Sequence, residues 1–139
     1  MSKHRDLAVA DAAEQLSVAV TRLSDRTRRL RHRQQLLKAA QSVNSNIAEG
    51  FGRETLADRN SRLVIARGEA EEPIKHLRVN LASHRITAND YWPLHNRAVT
   101  IVKMLNGLMS WRGPTRSLLG ALWHLAPYGT SRSGTRAIT

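Results

Sequence analysis

Five polar residues in the stretch SVNSNIAEGFGR, residues 42–53, have the spacing of one face of a helix. Steps of three, four and seven residues place them in a single stripe; they are Ser42, Ser45, Asn46, Glu49 and Arg53. Such a stripe could form a binding groove, or a polar seam that sets helix register or a subunit interface. We interpret it as a structural polar seam, because small neighbours allow close backbone approach and the Asn46 amide can hydrogen-bond a neighbouring helix.

The sequence contains no complete motif for metal binding or catalysis. A di-iron bundle needs two Glu-x-x-His motifs and two more glutamates, whereas Glu72 and His76 are four residues apart and no Glu-x-x-His occurs. The chain also lacks cysteine, a Gly-x-Ser-x-Gly turn and a Gly-x-x-x-x-Gly-Lys loop. Glu71 and Glu72 are helix neighbours whose side chains diverge by about 100°. We therefore expect no enzyme, no metal site and no cofactor.

Positive charge is the most unusual property of the composition. The chain has 22 Lys and Arg against 11 Asp and Glu, a formal net charge of +11. The charge is densest in SDRTRRLRHRQ, residues 24–34. Guanidinium groups form forked contacts with phosphate, and neutralised phosphates release counterions, so this segment favours polyanions. The alternative is a solvated loop between helices.

The predicted nucleic-acid contacts are arginines. They are Arg22, Arg26, Arg28, Arg29, Arg31 and Arg33, helped by Arg59, Arg62 and the arginines after residue 111. No aromatic residue interleaves the arginine segment, so the sequence favours the phosphate backbone of structured RNA or a duplex over stacking on bases.

Four stretches carry apolar residues at the spacing of an amphipathic helix, and none alternates like a strand. They cover residues 6–23, 33–51, 55–81 and 87–111. Gly50 and Gly52 are expected to end the second helix in a left-handed conformation. Helices with a single apolar stripe bury it only against one another, which predicts an all-α, up-down antiparallel four-helix bundle.

Two regions depart from this regular pattern. Pro73 falls inside the third helix, where its missing N–H and its ring favour a kink or local break. After Trp111 the composition becomes rich in Gly, Ser and Thr. We therefore predict a bundle domain over residues 1–111 and a flexible basic C-terminal tail over residues 112–139, a short helix followed by disorder.

Two absences indicate the location of the protein. No apolar run reaches 18 residues, so no membrane span and no membrane partner are expected. The lack of cysteine is consistent with a reducing compartment. Together these observations predict a cytoplasmic protein.

The runs LLKAAQSVNSNIAEGFGR, LVIARGEAEEPIKHL and VKMLNGLMSW resemble the small four-helix bundle proteins encoded in intervening sequences of bacterial 23S rRNA genes. The family pattern is close to AA-x-SVPSNIAEGFGR, and the resemblance covers about residues 6–111. Asn44 replaces the usual proline, Pro73 stands where leucine is preferred, and Arg59 and Arg62 stand where aromatic residues are common. The resemblance implies a four-helix bundle without established enzymatic activity.

That family is similar in fold to the accessory variability proteins of diversity-generating retroelements, which are basic pentamers that associate with a reverse transcriptase and nucleic acid. The resemblance therefore implies a homopentamer with a role beside RNA. Our leading hypothesis is a non-enzymatic, homo-oligomeric bundle that binds RNA or a ribonucleoprotein through arginine-rich surfaces. The alternative is a protein-interaction scaffold, such as an accessory subunit of a retroelement reverse transcriptase.

Overall fold

The computed structural model describes the backbone of residues 2–111 and the side chains of residues 5–111. It contains four helices: α1 (Ser2–Arg26), α2 (Arg33–Phe51), α3 (Leu56–Ala82) and α4 (Ala88–Ser110). The described residues contain no strand. The chain divides into two units, Met1–Met109 and Ser110–Thr139, and the bundle of the first unit is described below. The predicted tail, residues 112–139, lies outside the described residues.

Each helix runs antiparallel to the next, and α4 returns beside α1. Near one end, Arg59 of α3 donates to the carbonyl of Leu108 in α4. At the other end, Arg26 of α1 bonds to Asp90 of α4, and Asn80 of α3 bonds to residue 31, just before α2. The predicted all-α, up-down four-helix bundle is confirmed. None of the helices among residues 2–111 combines the length and apolarity needed to span a bilayer.

The core is built from the predicted apolar stripes. The α1 stripe is fully buried and consists of Val9, Ala13, Leu16, Val20 and Leu23. The α4 stripe from Tyr91 to Leu108 is buried as well. Phe51, Ile74 and Leu81, which belong to the stripes of α2 and α3, are only partly buried.

Gly50 lies where α2 packs tightly against α3. A Cβ atom added there would lie 3.1 Å from Leu63 Cδ2 and 3.3 Å from the carbonyl oxygen of Arg59. Gly52 has φ −82°, so the expected left-handed stop is wrong. Its N–H bonds to the carbonyls of Ala48 and Glu49. The two glycines thus serve helix packing and a tight right-handed end.

α3 runs from Leu56 to Ala82 through Pro73, so the expected break of this helix is wrong. Pro73 faces the bundle interior and is buried. Loss of one N–H and the ring clash cost about 3 kcal/mol, and burial of the ring against neighbouring helices offsets part of that cost. Thr55 starts α3 by accepting a hydrogen bond from the Asp58 N–H at 3.1 Å, as the sequence indicates.

Candidate nucleic-acid interface

Residues 27–32, which we call the arginine loop, connect α1 to α2, and a buried amide of α3 holds their backbone. The Asn80 side chain is fully buried. Its Oδ1 accepts the Arg31 N–H at 2.7 Å, and its Nδ2 donates to the Arg31 carbonyl at 3.0 Å and to the His76 carbonyl at 2.8 Å. Because the two bonds to the loop are made to the main chain of Arg31, they hold the loop without using an arginine side chain.

Two further contacts anchor the arginine loop. Leu30 is buried in the apolar core. Arg85, in the connection of residues 83–87 between α3 and α4, donates from Nη1 to the Arg29 carbonyl at 3.1 Å. The two connections therefore meet at one end of the bundle, which we call the arginine end. Within the loop, the side chain of Leu30 is buried, whereas the side chains of Arg28, Arg29 and Arg31 are exposed.

The arginines of this end differ in their partners. Arg26 forms an ion pair with Asp90 at 2.9 Å, and Arg33 lies 3.6 Å from Asp25. The hydrogen bond from Arg26 is the main reason that the pKa of Asp90 is lowered. Within the described residues, four predicted arginines form no ion pair and donate no side-chain hydrogen bond: Arg22, Arg28, Arg29 and Arg31. These four guanidinium groups are available to an anionic ligand.

Two stacked histidines lie where the arginine loop meets α2. His32 has φ 58°, a left-handed conformation at the start of α2. Its ring stacks on that of His76 at a centroid distance of 5.1 Å, and His76 Nε2 lies 3.6 Å from Glu72 Oε2. Burial is the main cause that lowers the pKa of His76, and the nearby His32 adds to it while Glu72 opposes it. The His76 ring is therefore neutral at pH 7.

The structure adds residues that sequence reasoning missed at this end. Arg85 and His84 lie in the connection that meets the arginine loop, Arg78 is exposed on the last turns of α3, and Trp92 is exposed near the start of α4. The short connection between α3 and α4 was a usable signal, because an antiparallel bundle places it beside the connection between α1 and α2.

Arg59 and Arg62, which were predicted to help the arginine segment, lie at the opposite end of the bundle. We call it the neutral end; it holds the start of α1, the connection 52–55 and the end of α4. Arg59 is only 7% exposed. It donates from Nη2 to the Leu108 carbonyl at 2.8 Å and from Nε to Asn60 Oδ1 at 3.2 Å. Arg62 lies 3.7 Å from Glu49. Arg59 thus binds the C-terminal turn of α4 instead of facing solvent.

Asp6 lies within electrostatic range of Arg59. Burial raises the pKa of Asp6, and the positive charge of Arg59 opposes that rise. One carboxylate oxygen of Asp6 is buried without a hydrogen-bond partner. The neutral end therefore contains a carboxylate that is incompletely compensated by its surroundings.

The polar stripe of α2 lies at the bundle surface. Asn46 donates to the Ser42 carbonyl of its own helix at 3.0 Å rather than to another helix of the described chain. Ser45, Glu49 and Arg53 are exposed, whereas Ser42 and Asn46 are half-buried. Glu49 lies 3.4 Å from Arg53. Among the described side chains, the Glu49–Arg62 ion pair links the stripe to α3.

Among the side chains that the structure describes, no cluster of three or more histidine or carboxylate groups could hold a metal ion.

Comparison with known proteins identifies relatives. The family model of the 23S rRNA-intervening sequence protein matches residues 5–107. A crystal structure of a protein with unknown function from the S23 ribosomal protein family of Bacteroides thetaiotaomicron is similar, with a TM-score of 0.71 and 24% identity. The similarity covers 77% of this chain and 99% of that one. No curated protein sequence matches the chain.

Proposed function

Because the chain belongs to the 23S rRNA-intervening sequence protein family, we propose that it is a non-enzymatic, cytoplasmic bundle that binds RNA, free or in a ribonucleoprotein, through the arginine end. One observation carries the proposal. Four exposed arginines without acidic partners lie on or beside a loop whose backbone is fixed by Leu30, Asn80 and Arg85.

A fixed loop favours binding because fewer backbone conformations are lost when phosphates are engaged. The four arginines carry no information about base identity, since contacts to phosphate position a protein without reading sequence. Binding through them is therefore expected to weaken steeply with salt, by orders of magnitude between about 50 and 200 mM for several phosphate contacts.

The test compares two triple variants of equal net charge. Arg28, Arg29 and Arg31 are changed to alanine at the arginine end, and Arg5, Arg53 and Arg62 are changed to alanine at the neutral end. Binding of a labelled RNA hairpin is measured by fluorescence anisotropy across a salt series. We expect the first variant to lose affinity about tenfold or more and to show a salt slope smaller by about 2 to 3.

The neutral-end variant separates a localised site from a general charge effect. It is expected to lose much less affinity, because Arg53 and Arg62 lie near the Glu49 carboxylate. Equal losses in the two variants would show that net charge alone drives binding, and an unchanged affinity of the arginine-end variant would overturn the proposal.

A second function, self-association, is favoured by the exposed apolar residues of α3. Val64, Ile65 and Val79 are 45–48% exposed on the solvent side of this helix. We propose that a second copy of the chain covers them and that the assembly is the homopentamer implied by the family resemblance, to which a reverse transcriptase could attach. Light scattering tests this: only a 15.6 kDa species would exclude it, whereas an oligomer that Ile65→Lys dissociates would support it.

A further inference from the structure

An exposed tryptophan lies at the arginine end. Trp92, in the second turn of α4, is 52% exposed. Its ring meets the Tyr91 ring edge-on at a centroid distance of 5.0 Å and the His95 ring at 5.0 Å. Because Tyr91 is buried in the core, the indole is braced from one side while much of its surface faces water. Such a ring is a ready surface for stacking.

A shallow groove lies at the connection between α3 and α4. It has a volume of about 530 Å³, and its lining includes Leu81, Arg85, Ala88 and Asp90. Ala88 precedes Trp92 by four residues, so the two lie on the same face of α4, one turn apart. Arg85 also donates to the Arg29 carbonyl of the arginine loop. The groove therefore lies at the connection that contacts the arginine loop, one helical turn before Trp92.

Helix register places a further cation beside this ring cluster. Arg67 of α3 bonds to Asn106 of α4 at 2.7 Å. Arg78 follows Arg67 by eleven residues, and His95 precedes Asn106 by eleven. Eleven residues are close to three turns of a helix, so in an antiparallel pair Arg78 lies level with His95 on the facing sides. This register places Arg78 of α3 at the level of the ring cluster, and Arg85 lies in the connection that precedes α4.

We propose that Trp92 is a stacking platform for an unpaired base of an RNA strand whose phosphates contact the arginine end. This inference rests on the proposed function and names the feature of RNA that the site takes. An apolar ring face bordered by guanidinium groups fits a nucleotide, because the base stacks on the ring while its phosphates meet the cations. It replaces the expectation, based on the arginine segment alone, that only a phosphate backbone is bound.

The experiment compares three probes: an RNA hairpin with an unpaired loop, a fully paired RNA duplex of equal length, and the hairpin as DNA. Trp92→Ala is expected to lower affinity for the RNA hairpin about five- to 100-fold. Its affinity for the duplex should stay within about twofold, since a paired base presents no free face. A loss on the RNA hairpin alone would assign the site to RNA, and a loss on both hairpins to any unpaired strand.

Two control variants accompany the test. Trp92→Phe keeps an aromatic face and should retain most of the affinity. Leu7→Ala removes an apolar side chain that is 68% exposed at the neutral end and should change nothing. In a Trp111→Phe, Trp123→Phe background, the fluorescence of Trp92 should be quenched by the hairpin and not by the duplex, a readout that does not depend on the stability of an alanine variant.

The outcomes separate the two proposals. If the unmodified chain binds neither RNA at low salt, the arginine proposal fails and this inference fails with it. If it binds both, and Trp92→Ala leaves hairpin affinity unchanged or weakens hairpin and duplex equally, only the stacking platform is overturned.

Discussion

The two ends of the bundle are closed by buried polar side chains of the same helix, yet their surfaces differ in charge. At the arginine end, Asn80 binds the main chain of Arg31. At the neutral end, Arg59 binds the carbonyl of Leu108. Among the side chains of residues 5–111, four arginines of the neutral end lie near four acidic residues: Arg5, Arg53, Arg59 and Arg62 against Asp6, Glu49, Glu54 and Asp58. The arginine end has no such balance.

Buried polar side chains and surface charge therefore have separate roles in this bundle. Asn80 is neutral, so it fixes the loop without neutralising any arginine. Arg59 is charged, and its charge acts on the half-buried Asp6 and on a helix C-terminus, where cations are favourable. Four experiments test this contrast between the ends.

The largest effect is expected for Asn80→Ala. The change leaves the Arg31 N–H and carbonyl without their partner and opens a small cavity, so we expect a loss of about 3 kcal/mol in the free energy of unfolding. Urea denaturation measures the loss, and amide hydrogen exchange should show faster exchange at Arg31. Asn89→Ala, at an exposed asparagine, should stay within about 0.5 kcal/mol. Similar values for the two variants would show that Asn80 does not hold the loop.

Arg59→Met should cost about 2 kcal/mol. Methionine keeps much of the volume but loses the bond to Leu108 and the charge near Asp6. Affinity for RNA should be unchanged, because the residue lies at the neutral end. Urea denaturation and RNA titration of the same sample give both values, with the exposed Arg53→Met as control. A loss of RNA affinity would remove the distinction between the ends.

Two glycine substitutions should have opposite signs. Gly50→Ala places a Cβ atom 3.1 Å from Leu63 and 3.3 Å from the Arg59 carbonyl oxygen, so it should destabilise by about 1 kcal/mol. Gly68→Ala meets nothing within 4 Å and should stabilise by about 0.5 to 1 kcal/mol, because alanine is the better helix former. Thermal or urea unfolding measures both. A stabilising Gly50→Ala would contradict the close approach of α2 to α3.

The smallest effect is the response to acid, which should differ between the ends. The pKa of His76 is lowered mainly by burial. As the pH falls, the unfolded chain therefore binds a proton at this histidine at a higher pH than the folded chain does. The contribution of neutral His76 to the free energy of unfolding is complete above about pH 6.5. It is lost as the pH falls through the lower pKa of His76 in the folded protein. Burial raises the pKa of Asp6, so its protonation on folding adds stability in acid.

Urea midpoints at several pH values check both signs. His76→Gln should make the urea midpoint less dependent on pH between about pH 7.5 and 5.5. Asp6→Asn should remove the stability that protonation of Asp6 adds in acid. The charged or titratable groups that face His76 are His32, Glu72 and Lys75, and a loss that persists in His76→Gln would assign the response to one of them.

The sequence predicts the bundle well because its apolar residues keep helical spacing, and it predicts the burial of α3 less well. The buried face of this helix alternates steps of four and three residues through polar and ring positions: Arg59, Leu63, Ala66, Ala70, Pro73, Leu77 and Asn80. Arg59 and Asn80 continue the helical spacing of this stripe. Spacing alone therefore predicts that both are buried, whereas their polar side chains suggest exposure. The up-down topology places the start of α4, and with it Trp92, at the arginine end, but the exposure of the Trp92 ring depends on how α4 packs in three dimensions.

Asn80 follows Arg31 by 49 residues, which has a consequence during synthesis. At about 5 to 20 residues per second, the arginine loop leaves the ribosome several seconds before the side chain that holds it. A nascent chain that ends before residue 80 therefore carries all six predicted arginines of residues 22–33 without the hydrogen bonds that fix their loop. The arginine surface gains its shape only when α3 is complete, so it matures late relative to its own residues.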